Sequence, residues 1–206
     1  SSEWRRSIVL EAQARISALQ ALIRPHFLFN SMNTIASLTR SDPRQAEEAV
    51  EDLSDLLRAS LSSNRNRTTL KEELEVAAIY NRIEKLRLGE RLNVRWDIGD
   101  LPMRAKIPSL TIQPLIENAI YHGIELLPDG GDVVVTGTRD GKYLTIAVKN
   151  PVAPGKARDK DGNKMALANI RQRFELAYGN RAGVSVEQGE DFYAVTLRFP
   201  VDEGVS

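Results

Sequence analysis

Apolar residues recur every three or four positions through the first half of the chain, which is the spacing of amphipathic helices. Residues 9–23 follow this spacing along a narrow seam, which predicts a short coiled-coil helix. Pro25 then interrupts the pattern, and we expect a kink or a break there because proline removes a backbone donor. Helical spacing resumes over residues 28–38, so a second helical segment is predicted after the proline.

A stop-and-restart signal follows at Ser41-Asp42-Pro43, where Ser41 or Asp42 can cap and Pro43 suits the first helical position. Residues 46–61 form one broad apolar stripe, so the sequence predicts an antiparallel helical hairpin. The exposed apolar face of this hairpin is most simply buried against the hairpin of a second copy of the chain, which gives a dimeric four-helix bundle. The alternative is a hairpin that packs only on the rest of its own chain.

The pattern changes after a polar segment at residues 62–68, which is predicted to be a linker. Thr69 can cap the next helix, with Glu72 three residues later as in a capping box, and Gly89 favours its end. These signals predict two domains, a helical hairpin at residues 1–67 and a second domain at residues 68–203.

The second domain alternates apolar and polar residues in several short runs, which is typical of half-buried strands. Two helical segments are predicted among them, over residues 110–123 and 165–178. The predicted fold class is α+β: a helical hairpin followed by a two-layer α/β sandwich with a mostly antiparallel sheet. The long polar segment at residues 151–162 is typical of a functional loop.

Composition excludes several classes of protein. The chain has 206 residues with 28 basic and 28 acidic side chains, so no net charge favours nucleic acid or an acidic membrane. It has no cysteine, which excludes disulfides, thiolate zinc sites and cysteine nucleophiles. No apolar run approaches the roughly 20 residues that cross a bilayer, and no signal peptide is apparent. We therefore expect a soluble, cytosolic-type polypeptide, either whole or cut from a longer protein.

His26 and Asn30 form the first candidate site, because they lie one helical turn apart and share a helix face. A neutral imidazole can accept a phosphoryl group near neutral pH, and the amide could orient it or a water molecule. The alternative is a structural histidine at a helix start or on the surface.

A second candidate site lies on the predicted helix at residues 110–123. Asn118 and His122 are four residues apart, and the amide oxygen of Asn118 could bind magnesium, which prefers oxygen ligands. Glu117 points elsewhere and could anchor the helix or act near the phosphates. The alternative is an ordinary polar rim of a helix. A third site, weaker in signal, is the loop at Gly162 that leads into a helix, whose free backbone donors suit phosphate.

The order of these three sites resembles that of two-component sensor kinases. The segment from Arg24 to Asn30, with Asn33-Thr34-Ile35 after it, closely resembles the phosphoacceptor signature of LytS-type sensor histidine kinases. The segment from Leu115 to Gly123 resembles their N box, and the segment from Ala166 to Phe174 is similar to the end of their glycine box. The resemblance extends over about residues 15–200.

The resemblance implies a GHKL, or Bergerat, ATP-binding fold and a dimeric kinase that uses ATP and Mg²⁺. His26 would be phosphorylated, Asn118 would hold the magnesium ion with Glu117 beside it, and residues 150–163 would form a lid. The remaining nucleotide contacts would come from residues in or near these motifs: His122, Asn150, Gly162, Lys164, Leu167 and Asn169. The partner would be a response regulator, commonly with a LytTR DNA-binding domain, and the chain would be the cytoplasmic part of an inner-membrane protein.

The glycine boxes depart from the family pattern. Asn150 stands where an adenine-binding aspartate is expected, and Lys164 and Ala166 stand at usual glycine positions. An amide accepts a hydrogen bond without the charge that strengthens it, an effect of roughly 1 kcal/mol. The alternative function is therefore a degenerate kinase that acts as a phosphatase or as a non-catalytic scaffold for the response regulator.

Overall fold

A computed structural model describes residues 3–9, 24–61, 67–155 and 160–201, with the backbone alone for residues 160–163. Residues 3–9 are helical and exposed. Of the predicted coiled-coil helix, residues 10–23 lie outside the described residues. The chain divides into two compact units, Ser1–Asn64 and Arg65–Ser206, and each is described by itself.

The first unit contains a helical hairpin. Helix α1 spans Pro25–Ser41 and helix α2 spans Pro43–Leu61, and the two pack against each other. Pro25 is the first residue of α1, so it begins a helix where its missing N–H costs nothing. Asp42 separates the helices, and its Oδ1 accepts a hydrogen bond from the Gln45 backbone N–H at 3.2 Å.

The hairpin buries one apolar stripe and leaves other apolar residues exposed. Its buried residues are Phe27, Ser31, Ala46, Ala49, Leu53, Leu56 and Ser60. Phe29 and Met32 of α1, with Val50 and Leu61 of α2, remain exposed. The hairpin therefore keeps apolar surface beyond what its two helices cover.

The second unit begins with a small sheet. Strand β1, Arg67–Thr69, pairs antiparallel with β3, Lys106–Pro108. The prediction that the linker extends to Thr68 is wrong, because Arg67 and Thr68 pair with this distant strand. Helix α3, Leu70–Leu88, follows. As predicted, the Thr69 hydroxyl accepts from the Glu72 N–H at 3.2 Å, while the Glu72 carboxylate accepts from the Thr68 hydroxyl.

The main sheet has five strands in the order β2-β4-β5-β7-β6. The strands are β2 Leu92–Asp97, β4 Gly131–Asp140, β5 Tyr143–Pro151, β6 Gly183–Gln188 and β7 Phe192–Pro200. Only β2 and β4 are parallel, so the sheet is mostly antiparallel, as predicted. Val135, Val148 and Val195 lie opposite one another across three strands and are buried, which places the core on that face.

Two further helices complete the unit: α4, Ile112–His122, and α5, Lys160–Tyr178. Helix α4 packs on α3 and on β5, and α5 contacts β3, α4 and β6. Phe174 and Tyr178 of α5 meet Phe199 of β7, with ring centroids 5.6 and 5.8 Å from it. A two-layer α/β sandwich results, which agrees with the predicted architecture of this domain.

The predicted lid and the helix after it have different bounds in the structure. Asn150 and Pro151 belong to β5, where they pair with Tyr193 and Phe192 of β7. Helix α5 begins at Lys160, five residues before the predicted start at Met165. No proline lies between Pro154 and the end of the helix, so no residue of that stretch lacks the backbone N–H that a helix needs. The segment between β5 and α5 is thus residues 152–159, of which 152–155 are described. Among the described helices, none has an apolar stretch of the length that crossing a bilayer requires.

Candidate functional site

Helix α4 carries the polar residues that the sequence singled out. Asn118 and His122 lie one turn apart and are both buried, with 7% and 8% of their surface exposed. Glu117 is also buried, and its Oε2 accepts from Gln113 Nε2 one turn earlier at 3.1 Å. The ring of His122 meets that of Tyr121 edge to face, with centroids 4.9 Å apart. A short helix with this many buried polar groups is unusual for a purely structural element.

The end of α4 lies against the end of β5. Gly123 follows the helix, and a Cβ atom placed on it would lie 2.3 Å from Asn150 Nδ2 and 2.6 Å from the carbonyl oxygen of Pro151. Such distances leave no room for a side chain at position 123. The glycine therefore lets the helix that carries Asn118 and His122 approach the strand that carries Asn150.

Asn150 is held in a defined orientation at this junction. It is 3% exposed, and its Nδ2 donates to the Pro151 carbonyl at 2.9 Å. With that hydrogen engaged, the side-chain oxygen is the group that can accept a hydrogen bond from a ligand amine.

Arginines from α3 and the turn after it hold the C-terminal end of α4. Arg91 Nη2 donates to the carbonyl oxygens of Glu125 and Leu127 at 3.1 and 3.0 Å, in the turn that follows the helix. Arg87 Nη2 donates to Glu84 Oε2 at 2.7 Å and also to Glu125. These contacts connect the end of α3 to the end of α4.

The charged groups of this cluster have shifted pKa values. Burial raises the pKa of Glu84, against the opposing effect of Arg87, and the charge of Glu125 raises it further. Burial alone would lower the pKa of Arg87, but its two carboxylate partners outweigh that effect and raise it. Arg87 therefore stays charged, and Glu84 is the group whose charge is costly.

A carboxylate from α3 holds the N-terminal end of α4. Glu73 accepts from the backbone N–H groups of Leu110, Thr111 and Ile112 at 2.9, 3.0 and 3.1 Å. Burial raises the pKa of Glu73, while these three N–H groups and the charge of Arg173 oppose the rise. Burial likewise lowers the pKa of Arg173, and Glu73 opposes that. Both ends of α4 thus depend on charged side chains from neighbouring elements.

The other predicted site residues lie elsewhere. Lys164, Leu167 and Asn169 belong to α5, where Leu167 is buried while Lys164 and Asn169 are exposed. The backbone at Gly162 is helical, so the prediction of a loop at Gly162 that leads into a helix start is wrong. His26 and Asn30 lie one turn apart on α1 of the hairpin, and both are half-buried.

The residues present fit a nucleotide and a magnesium ion. Among the described residues, no group of three or more histidine, cysteine or acidic side chains could hold a metal ion. An ion bound by one amide oxygen would take its other ligands from phosphates and water, which is usual for Mg²⁺. Asn118 would supply such an oxygen on α4, and the side-chain oxygen of Asn150, at the end of the strand that α4 contacts, would be available to accept a hydrogen bond from a base.

Sequence reasoning did not identify the charged residues that hold α4: Glu73, Glu84, Arg87, Arg91, Glu125 and Arg173. A signal existed for two of them. Glu73 and Glu84 fall in helical register with Leu70, Ala77 and Tyr80, on the buried face of α3. A carboxylate at an apolar register position indicates a buried partner.

The chain is similar in sequence to known histidine kinases. Residues 14–92 match the family model described as Histidine kinase. The sensor histidine kinase BtsS of Escherichia coli K12 is 33% identical over 204 residues, which is 97% of this chain. The chain is thus similar in sequence to sensor histidine kinases over nearly its whole length. Sensor protein LytS of Streptococcus agalactiae is 30% identical over 203 residues, which is 93% of the chain.

The matched region is one part of these sensor histidine kinases. The chain spans 36% of the length of BtsS and 35% of that of LytS. Among solved structures, full-length ShkA in complex with AMPPNP superposes with a TM-score of 0.51 at 16% identity. That match covers 98% of this chain and 47% of ShkA, and it supports the fold alone.

Proposed function

We propose that this chain is the kinase region of a two-component sensor, which transfers the γ-phosphoryl group of ATP to His26 and then to a response regulator. The observation that carries the proposal is the junction of α4 with β5, where Gly123 packs against Asn150. This junction places a buried amide acceptor beside the helix of Asn118 and His122. The homology to sensor histidine kinases supports the same activity.

In the proposed reaction, a ring nitrogen of His26 attacks the γ-phosphorus of ATP. A nitrogen–phosphorus bond forms, the bond from phosphorus to the β,γ-bridging oxygen breaks, and ADP leaves with that electron pair. Bound magnesium would neutralise charge on the phosphates, and Asn118 would hold it. The protein contributes mainly by positioning the reactants, which suits phosphoryl transfer.

The residues around the nucleotide have separate proposed roles. Asn150 would accept from the adenine amine, and His122 would line the phosphate side beside Asn118. Glu117 would anchor α4 through Gln113 and act close to the phosphates. From α5, the proposed contacts come from Gly162, Lys164, Leu167 and Asn169, and Asn30 would orient His26 or a water molecule.

The proposal includes partners and cellular location. The exposed apolar residues of the hairpin would pair with a second copy to form a four-helix bundle. The response regulator would be of the LytTR type, and the chain would be the cytoplasmic part of an inner-membrane protein. The motifs also resemble those of the pseudomonad sensor AlgZ, also called FimS.

The test is autophosphorylation with ATP labelled at the γ-phosphate. We expect label on the native chain, none on His26→Gln, and a loss of about a hundredfold or more in rate for Asn118→Ala, since removing one stabilising group near a transition state costs that much. Asn93→Ala, an exposed asparagine on β2, is the matched control and should behave as the native chain. Label that persists in the His26 variant would exclude His26 as the acceptor.

A second candidate function is a degenerate kinase that acts as a phosphatase or as a scaffold for the regulator. The identity of residue 150 as asparagine and the exposed Lys164 within α5 favour it, because both depart from the family's nucleotide-binding pattern. In this case Asn30 would position a water molecule against the phosphorylated regulator.

Calorimetry with a non-hydrolysable ATP analogue and Mg²⁺ separates the two functions. Binding in the micromolar range supports the kinase. An absence of binding at millimolar analogue, together with binding of the regulator by the hairpin, supports the scaffold.

A further inference from the structure

The segment immediately before α4 has an unusual backbone. Leu110 has a φ of 57°, in the left-handed region that side chains other than glycine rarely adopt. Its N–H donates to Glu73 Oε1 at 2.9 Å, and its carbonyl accepts from Arg173 Nη1 at 2.8 Å. A conformation of this kind costs on the order of 1 kcal/mol or more, and it persists only where the surroundings hold it.

Glu73 replaces the usual cap of α4. The residue before the helix is Thr111, whose side chain makes no capping bond and instead donates to the Pro108 carbonyl at 2.7 Å. The backbone donors of Thr111 and Ile112 both bind Glu73 Oε2. A side chain of α3 therefore determines where α4 starts, whereas most helices carry this information in their own cap.

Arg173 brings a third helix to the same segment. It lies on α5 and donates to the carbonyl oxygens of Ser109 and Leu110. Helix α5 is the element that follows residues 152–159, the segment between Asn150 and the helix. The position of α5 is thus connected to the start of α4 through one guanidinium group.

We propose that Glu73 and Arg173 are positioning residues for nucleotide binding: together they hold the left-handed turn at Leu110 and so fix the helix that carries Asn118. The inference rests on the function proposed above for Asn118. Helix α4 is an almost rigid body three turns long, so a shift at its start is passed to Asn118 and His122. A misplacement of about 1 Å is enough to weaken a positioned site strongly.

The test compares Arg173→Met with a matched control, Arg67→Met. Arg67 also holds α5, since it donates to the Ala177 carbonyl at 2.8 Å and lies over the Tyr178 ring at 5.3 Å. Both of these side-chain contacts of Arg67 are with residues of α5. Each variant removes a guanidinium group that connects α5 to another element, and Arg173→Met is the variant that removes the hydrogen bonds to Ser109 and Leu110.

The readout is the dissociation constant of a magnesium complex of a non-hydrolysable ATP analogue, measured by calorimetry beside the melting temperature. We expect Arg173→Met to weaken binding about tenfold or more and Arg67→Met to change it less than threefold, at comparable losses of melting temperature. Arg173→Lys, which keeps the charge and loses the planar fork, should lie between them. Equal weakening by the two methionine variants would overturn the inference.

A suppressor variant keeps the test decisive if Arg173→Met is unstable. Leu110→Gly adopts the left-handed turn without strain, so adding it to Arg173→Met should recover part of the lost affinity. No recovery, in a double variant that folds, would argue against the inference.

Native chain and Asn118→Ala are measured in parallel. If the native chain does not bind the analogue, the proposed function fails and this inference fails with it. If the native chain binds, Asn118→Ala loses affinity and the two arginine variants match, the inference alone fails.

Discussion

At the scale of single residues, the second unit buries several charges around α4 and leaves each with a specific partner. Glu73 binds three backbone donors, and Glu84 binds Arg87. Breaking such a pair leaves one charge buried without compensation, which costs about 3–5 kcal/mol. These residues therefore stabilise the helix that carries the candidate site, although none of them belongs to a motif that was recognised in the sequence.

The pKa of Glu84 leads to a prediction about stability and pH. Because its folded-state pKa is raised, the folded chain holds this proton to a higher pH than the unfolded chain does. At a pH below its ordinary pKa, Glu84 therefore contributes to the stability of the folded state. That contribution is lost as the pH rises through the pKa that Glu84 has in the folded chain. We expect the native chain to lose stability over this range relative to Glu84→Gln, which does not titrate.

Denaturant unfolding of both chains at a series of pH values checks this prediction. The charged groups that act on Glu84 are Arg87 and Glu125, and Glu125 raises its pKa. In a Glu125→Gln background the pH-dependent range should therefore become narrower. The prediction fails if the difference in unfolding free energy between the native chain and Glu84→Gln stays constant with pH. It also fails if the native chain becomes the more stable of the two as the pH rises.

At the scale of secondary-structure elements, the site depends on close approach between α4 and β5. A Cβ atom on Gly123 would lie 2.3 Å from Asn150 Nδ2, 2.6 Å from the Pro151 carbonyl oxygen and 2.7 Å from that of Ala119. Two of these three neighbours are backbone atoms, which cannot rotate away as a side chain can. The glycine is therefore a requirement of packing as well as part of a motif.

We expect Gly123→Ala to weaken nucleotide binding about tenfold or more, equivalent to roughly 1.4 kcal/mol, because the added methyl group displaces Asn150. Calorimetry with the ATP analogue is the measurement. Gly183→Ala is the matched control, since a Cβ atom there meets nothing within 4 Å and its backbone is not left-handed. Unchanged affinity in Gly123→Ala would show that the junction does not determine binding.

At the scale of the whole molecule, the hairpin unit has more apolar surface than its two helices bury. On α2, Val50 is 48% exposed and Leu61 is 54% exposed, beside the stripe that packs on α1. Exposed apolar residues in register along a helix are typical of an interface. This surface supports the proposed pairing of two hairpins.

Val50→Lys is expected to shift the chain from dimer to monomer at micromolar concentration, because it places a charge in the apolar interface. Sedimentation or light scattering gives the mass. Glu48→Lys, an exposed substitution on the opposite side of the same helix from Val50, is the control and should leave the mass unchanged. A native chain that is monomeric at every concentration measured would exclude the dimer. The exposed apolar residues of the hairpin would then have to pack against a different partner.

Local patterns in the sequence determined much of this protein. The periods of apolar residues, the cap at Thr69, the glycine at Gly89 and the prolines at Pro25 and Pro43 act within one or two helical turns. They identified the hairpin and the mostly antiparallel sheet. The motif residues on α1 and α4 were also readable, because each motif is contiguous.

Other features of the protein depend on contacts between segments that are far apart in the sequence. Arg67 and Thr68 were predicted to belong to the linker, but they pair with a strand at Lys106–Pro108. The turn at Leu110 is held by the carboxylate of Glu73, which lies 37 residues away along the chain. The packing of Gly123 on Asn150 joins two segments that the sequence treats separately. Such contacts depend on which elements meet in space, and the periodicity of a single segment contains no information about that.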